Sequence, residues 1–234
     1  MIIFFIYKLE VIMTNIREMI NQLTDHISLN SEMKNILAVT DRKLFSPSYA
    51  KHFSYSLDAI DIGNGRWMQS PLTVLKIIQY LKLKKSDNVL EIGCGSGYQA
   101  AIFSQLCQKV VTLDCDKKLL KKADKIFDDL RINNIQTQYV HKGKIWKIKE
   151  KFNTIVVSMA IEKVPSYWFE QLSEGGTLIA PIIEAENYQI LTLFYKRNGH
   201  IEQESLEQFS FIAMKEIIER CKAQSKYDLR FWLG

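Results

Sequence analysis

The chain is poor in several things, and each shortage excludes a class of protein. Its apolar run at residues 2 to 6 is too short to cross a bilayer. It is also too short for a secretory core and has no small-residue cleavage site after it. Cysteine occurs only at Cys94, Cys107, Cys115 and Cys221, without a C-x-x-C pair or a histidine at ligand spacing. No metal site and no disulfide framework are expected, and reduced thiols in a cytoplasm are the simple reading. The four prolines stand at 47, 71, 165 and 181, and no repeat or low-complexity tract separates them, so no linker is marked. Positive charge is in slight excess, with 31 Lys and Arg against 26 Asp and Glu. A dedicated nucleic-acid binder would carry a denser basic face, so neither nucleic acid nor membrane is expected as a partner. The oligomeric state is left open.

What is present suits one buried core: 234 residues, 47% of them hydrophobic, are ample for a single α/β domain and few for two. Residues 1 to 12 read as an extension upstream of a natural start at Met13, or else as a short element packed on the body. Residues 13 to 234 read as one domain. Its parts are an N-terminal helical region over 13–86, an α/β core over 87–182, and C-terminal strands and a helix over 183–234.

The most informative segment is Val89-Leu90-Glu91-Ile92-Gly93-Cys94-Gly95-Ser96-Gly97-Tyr98, an apolar strand leading into a Gly-x-Gly-x-Gly turn and a helix. Glycine permits positive φ and leaves no Cβ in the way, so a backbone here can lie against a nucleoside ligand. A dinucleotide fingerprint requires a third glycine where Tyr98 stands, so a pyrophosphate fits poorly. The acid Glu91, two residues before the first glycine, suits the ammonium-bearing end of S-adenosylmethionine. About twenty residues on, Val110-Val111-Thr112-Leu113-Asp114 reads as the next strand and ends in a carboxylate placed to hold a ribose diol. A glycine-rich turn alone can be a plain βα connection, and the second acid argues against that. The expected cofactor-binding set is Glu91, Gly93, Gly95, Ser96, Gly97 and Asp114.

Periodicity places this turn in its surroundings. Helical spacing over 15–39 breaks near 28 to 31, an irregular region runs over 47–65, and a helix is expected over 71–81. Strands are expected over 88–93, 109–114, 136–141, 153–158 and 176–182, with helices over 97–107, 116–131 and 164–172. Such alternation implies a parallel sheet covered on both faces. Two further strands, 189–196 and 206–212, flank a turn opened by Asn198-Gly199, and a helix over 213–222 follows.

These residues resemble the protein-L-isoaspartate O-methyltransferase family over roughly 15–215. The resemblance rests on Gly97-Tyr98-Gln99-Ala100-Ala101 after the turn, on Ile155-Val156-Val157-Ser158-Met159-Ala160, on Val164-Pro165, and on Gln171 through Pro181. Upstream, Ala38-Val39, Phe45, Pro47, Ala59-Ile60, Ile62-Gly63 and Gly65 follow the same pattern. The resemblance implies a Rossmann-like class I methyltransferase fold with an N-terminal helical elaboration. It implies transfer of a methyl group from S-adenosylmethionine to the α-carboxylate of isoaspartyl residues, with a protein or peptide bearing an exposed carboxylate as partner.

The chain departs from the family pattern at three places. Where the family has Thr-Ile-Ser before its proline motif, this chain has Trp67-Met68-Gln69-Ser70-Pro71, so Gln69 takes the place of the serine that contacts the acceptor. Gln69 is the candidate catalytic residue, with Met68 and Ser70 as candidate substrate-binding residues. Lys144 stands where the family's aspartate meets the adenine, and Asn153 replaces an aspartate at a turn. Two alternatives stay open: a different acceptor, or a cofactor-binding module without transfer. Lys142, Lys144, Lys147, Lys149 and Lys151, interleaved with Trp146, form either a solvated basic loop or an attractor for an anionic acceptor. Ser158-Met159-Ala160-Ile161 has neither the Asn/Asp-Pro-Pro-aromatic signature of adenine methylation nor a cysteine nucleophile.

Overall fold

A computed structural model describes the backbone of residues 2–141 and 146–230, with side chains over 13–141 and 146–222. Its N-terminal region holds α1 (Ile2–His26), α2 (Ser31–Val39), the one-turn α3 (Arg42–Phe45) and a 3-10 turn over Ser48–Phe53. Asn30 closes the start of α2 by accepting from the Met33 amide, which explains the break in helical spacing. A small hairpin follows, β1 (Ile60–Gly63) and β2 (Arg66–Met68), and then α4 (Pro71–Leu81). Ser70 caps α4 and Pro71 occupies its first turn, where a missing N–H costs nothing.

The core alternates as expected: β3 (Asn88–Ile92), α5 (Tyr98–Leu106), β4 (Lys109–Asp114), α6 (Lys117–Asp129), β5 (Ile135–Tyr139), β6 (Phe152–Val157) and α7 (Ser166–Gln171). Then come β7 (Leu172–Ala185), β8 (Tyr188–Arg197), β9 (His200–Gln208) and α8 (Met214–Arg230). The sheet order is β5-β4-β3-β6-β7-β8-β9, parallel through β7 and antiparallel beyond it. Strand order reverses at β3, because β4 lies on one side of it and β6 on the other. In open α/β sheets the crevice at such a point, beyond the carboxyl ends of the strands, is where ligands bind.

The two-residue period of the strands divides the core. Val89, Val110, Val156 and Ile179 pack on one face with α4, α5 and α6. Leu90, Ile92, Val111, Leu113, Ile155 and Val157 pack on the other with Trp168 and Ile217. Glu91 and Thr112 are register partners, and both belong by alternation to the first face. α6 buries Leu119, Leu120, Ala123 and Phe127, which leaves its lysines on the opposite face.

Three expectations need correction. The last strand was expected over 206–212, yet β9 runs His200–Gln208, because the two-residue turn at Asn198 and Gly199 (φ 52° and 76°) pairs Arg197 directly with His200. Its residues, HIEQESLEQ, form a polar edge strand without the apolar signal of a core strand. β7 is far longer than 176–182, since it starts as soon as α7 ends and continues to pair with β8. Finally, Cys115 and Cys221 form a disulfide across 106 positions of sequence, with Cα atoms 6.3 Å apart. No spacing rule reports a pair that only the packing of α8 onto the tip of β4 brings together. Cys94 and Cys107 are free and buried. Among the described residues, no helix is long and apolar enough to cross a membrane.

Candidate active site

The Gly93–Gly97 turn is held against β4 by its own amides. Gly93 and Cys94 both donate to the Leu113 carbonyl, at 2.8 and 2.9 Å, and Gly95 donates to the Asp114 carboxylate at 2.9 Å. The three glycines do different work. A Cβ on Gly97 would meet Phe127 at 2.7 Å and Ala123 at 3.0 Å, so Gly97 is glycine for close packing as well as positive φ, whereas Gly93 would meet only the flexible end of Met159 and is glycine for its φ of 105°. A Cβ on Gly95 would have Ile62 at 3.8 Å as its nearest neighbour. Gly95 is therefore the position whose backbone is free of protein crowding on its Cβ side. Ser96 accepts from the Tyr98 amide and Gly97 caps α5.

Behind the turn lies a polar floor at the end of β3 and β6. Glu91 is fully buried and accepts from Thr112 Oγ1 (2.5 Å) and Gln99 Nε2 (2.9 Å). Gln99 Nε2 also donates to Ser158 Oγ at 2.8 Å, while Gln99 Oε1 is buried with no partner among the described residues. Burial raises the Glu91 carboxyl to about 8, against the opposing pull of those two hydrogen bonds. Both residues line one cavity with Ser158, Gly95 and Ser96. An unmatched carbonyl oxygen beside a buried acid whose ionised form has no cation near it among those residues is a site that an ammonium group satisfies, by donating to the oxygen and favouring the ionised acid.

Asp114, at the tip of β4, is also fully buried. Arg66 grips it with both ends of its guanidinium, at 3.0 and 2.6 Å, and Asp116 adds a backbone amide at 3.0 Å. Burial pushes the Arg66 pKa down, but the charge and hydrogen bonds of Asp114 more than offset it and leave the pKa above its ordinary value.

Another wall of the cavity is built on β2. Arg66 and Met68 point inward and Trp67 outward, as extended backbone requires. Met68 and Gln69 line the same cavity as Glu91. Ser70 Oγ receives the Leu72 and Thr73 amides, which commits it to capping α4. The Gln69 carbonyl is held at 3.0 Å by Arg42, a fully buried arginine that also donates to the carbonyls of Ser54, Ser56 and Asp58. Burial lowers the Arg42 pKa to about 10. Over the mouth, α8 contributes Ile217 to the lining, and Arg220 donates to the Gly65 carbonyl at 2.7 Å.

Sequence reading singles out Glu91, Gly93, Gly95, Ser96, Met68 and Gln69, which line one cavity, and Gly97, Asp114 and Ser70, which lie beside that lining; it gives no role to Arg42, Arg66, Gln99, Thr112 or Ser158. Gln99 and Ser158 lay within motifs that had been noted, and Arg66 follows an Asn-Gly turn pair directly. Of the basic segment, Lys142 and Lys144 lie outside the described residues. Trp146 is buried and its carbonyl accepts from Trp168, and Lys147 pairs with Glu170. Trp146 is thus a core residue. Asn153 accepts from the Asn88 amide at 2.9 Å, a structural contact at the start of β3.

A sheet of this order, with a glycine turn at its switch point and carboxylates ending its first two strands, defines a class I methyltransferase fold. A family model described as protein-L-isoaspartate(D-aspartate) O-methyltransferase matches residues 14–218. The chain belongs to that family. It is 34% identical over 195 residues to a Helicobacter pylori (strain G27) protein-L-isoaspartate O-methyltransferase, covering 83% of this chain and 93% of that one. It is 31% identical over 201 residues to the enzyme of the same description from Idiomarina loihiensis, covering 86% and 94%. A solved protein-L-isoaspartate O-methyltransferase superposes with a TM-score of 0.75 at 22% identity, over 85% of this chain and 65% of that one. A Plasmodium falciparum protein of the same description, solved with S-adenosyl-L-homocysteine, gives 0.71 at 21% identity, over 88% and 98%. These two structural likenesses carry the fold.

Proposed function

We propose that this chain uses S-adenosylmethionine to methylate the α-carboxylate of L-isoaspartyl residues in damaged proteins. Glu91, Gly93, Gly95, Ser96, Gly97 and Asp114 serve the donor, and Met68, Gln69 and Ser70 serve the approach of the acceptor. The observation that carries the donor side is the buried pair of Glu91 and the partnerless Gln99 Oε1, two acceptors that suit the donor's ammonium. Bound S-adenosylmethionine would supply an activated methyl group on a sulfonium.

The chain's own task is alignment. A carboxylate is already ionised at neutral pH, so no general base is needed, and correct positioning can be worth about 7 to 11 kcal/mol. In this reading the amide of Gln69 donates to the acceptor carboxylate, Arg42 fixes the Gln69 backbone, and Ser70 acts through the α4 cap that sets the end of the acceptor segment. The partner is a protein or peptide with an exposed carboxylate. Residues 13–234 act as one domain, and the location is cytoplasmic, where reductants would open the Cys115–Cys221 bond.

A second reading has one observation in its favour, Gln69 in the place of the family serine: a protein that binds the donor but methylates something else, or nothing. One assay separates the two. The protein is incubated with labelled donor and paired isoaspartyl and aspartyl peptides, and base-labile methyl ester is counted. Ester on the isoaspartyl peptide alone is expected. Donor binding without that ester would sink the repair assignment.

A further inference from the structure

Asp114 has no acceptor capacity left. A carboxylate offers about four lone-pair sites, and here four donors fill them: two guanidinium nitrogens of Arg66 and the amides of Gly95 and Asp116. If Asp114 holds a ribose diol, two of these must yield. The Gly95 amide belongs to the turn that β4 fixes, and the Asp116 amide to the residue that caps α6. Arg66 is the movable pair. It sits on a three-residue strand of a hairpin separate from the main sheet, and short hairpins are marginal structures by themselves.

We infer that Arg66 is the residue that couples donor binding to acceptor binding: the donor's ribose displaces its guanidinium from Asp114, and the freed guanidinium then receives the acceptor carboxylate. The inference rests on the reading of Asp114 as the ribose-holding acid. Three features support the second half. Arg66 and Gln69 line the same cavity and lie three residues apart, so the released group is already at the acceptor side. A planar guanidinium matches a carboxylate in a bidentate fork, as it already does with Asp114. Finally, a buried guanidinium that gives up Asp114 to a neutral diol needs another anion, and the substrate is one. The acceptor then binds well only after the donor.

The test uses S-adenosylhomocysteine and an isoaspartyl peptide as probes, with binding measured by calorimetry on the whole protein. In the unsubstituted protein, saturating S-adenosylhomocysteine is expected to tighten peptide binding about fivefold or more, and the peptide tightens S-adenosylhomocysteine by the same factor. Arg66→Met removes the competitor for Asp114, so S-adenosylhomocysteine binds roughly tenfold tighter, peptide binding weakens, and the coupling factor falls to about one. Arg66→Lys keeps the charge but not the fork; it is the arm to read if Arg66→Met does not fold, and it is expected to lose most of the coupling. Weaker S-adenosylhomocysteine binding in both variants would overturn the proposal, as would a coupling factor of one in the unsubstituted protein. Failure of the functional reading looks different. It appears as no ester on the isoaspartyl peptide at saturating donor, while the S-adenosylhomocysteine titrations still decide whether Arg66 competes for Asp114.

Discussion

The guanidinium of Arg42 donates to the main-chain carbonyl of Gln69 across 27 positions of sequence, at 3.0 Å, and to three further carbonyls of the loop between them. One buried cation thus organises the segment over 54–69 that leads to β2 and the cavity. Among the described residues its hydrogen-bond partners are carbonyls alone, and its Cζ lies 5.8 Å from the centre of the Tyr98 ring.

Arg42→Met should therefore leave four buried or half-buried carbonyls without their donor. A loss of about 3 to 5 kcal/mol is expected, from the mutational cost of breaking buried charged hydrogen bonds. Urea melts give the stability. Initial rates with the isoaspartyl peptide should fall more than donor affinity does, and Arg42→Lys should restore part of the rate. Equal losses on both would contradict a role confined to the acceptor loop.

Glu91 makes stability depend on pH in a definite sense. Its carboxyl holds a proton up to about pH 8 in the folded chain and only to about 4.5 when unfolded. Between those values the folded state binds the extra proton, so stability from this group is full at low pH and is lost as pH rises toward 8. The slope is at most about 1.4 kcal/mol per pH unit. Glu91→Gln should lack it, and the variant's melting temperature should gain on the unsubstituted protein steadily from pH 5 to pH 8. Parallel curves would refute the raised value. Donor affinity should move oppositely, rising with pH in the unsubstituted protein because a cation favours the ionised acid, and staying flat and weak in Glu91→Gln.

The glycine turn should divide under alanine substitution. Gly97→Ala drives a methyl into Phe127 and Ala123 at φ 86°, so it is expected to cost about 2 to 4 kcal/mol of stability. Gly95→Ala, at φ 56° with Ile62 at 3.8 Å, should cost only about 1 to 2 kcal/mol. Its larger effect is expected on S-adenosylhomocysteine affinity. Thermal melts and calorimetry on both variants decide; a Gly95→Ala protein with unchanged affinity would remove Gly95 from the donor site.

The Cys115–Cys221 bond closes a loop of 106 positions and ties α8 to the residue beside Asp114. Opening it with dithiothreitol, or substituting Cys221→Ser, should lower stability by about 2 to 4 kcal/mol. Because Ile217 and Arg220 of the same helix meet the cavity and the Gly65 carbonyl, donor affinity should weaken alongside. Thiol counting in denaturant provides the check: the oxidised chain should show two reactive thiols, Cys94 and Cys107. Four thiols before any reductant is added would mean that the bond does not form.

The sequence by itself determined whatever is written in neighbouring residues. The period of the strands, the Gly-x-Gly-x-Gly turn, Glu91 and Asp114 at their strand ends, and the proline start of α4 follow from steric and hydrogen-bonding preferences that reach only a few positions. The polar edge strand β9 escaped because a strand without a buried face carries no such period. Only the tertiary structure decided the partners of the functional groups. Arg66 reaches Asp114 across 48 positions, and Cys221 reaches Cys115 across 106. Likewise, Gln99 and Thr112 converge on Glu91 from α5 and β4. Such meetings depend on sheet order and on how a hairpin and a terminal helix fold back over the switch point, and no local propensity encodes that crossing. The sequence ended β4 in an acid at Asp114; the fold placed an arginine on it.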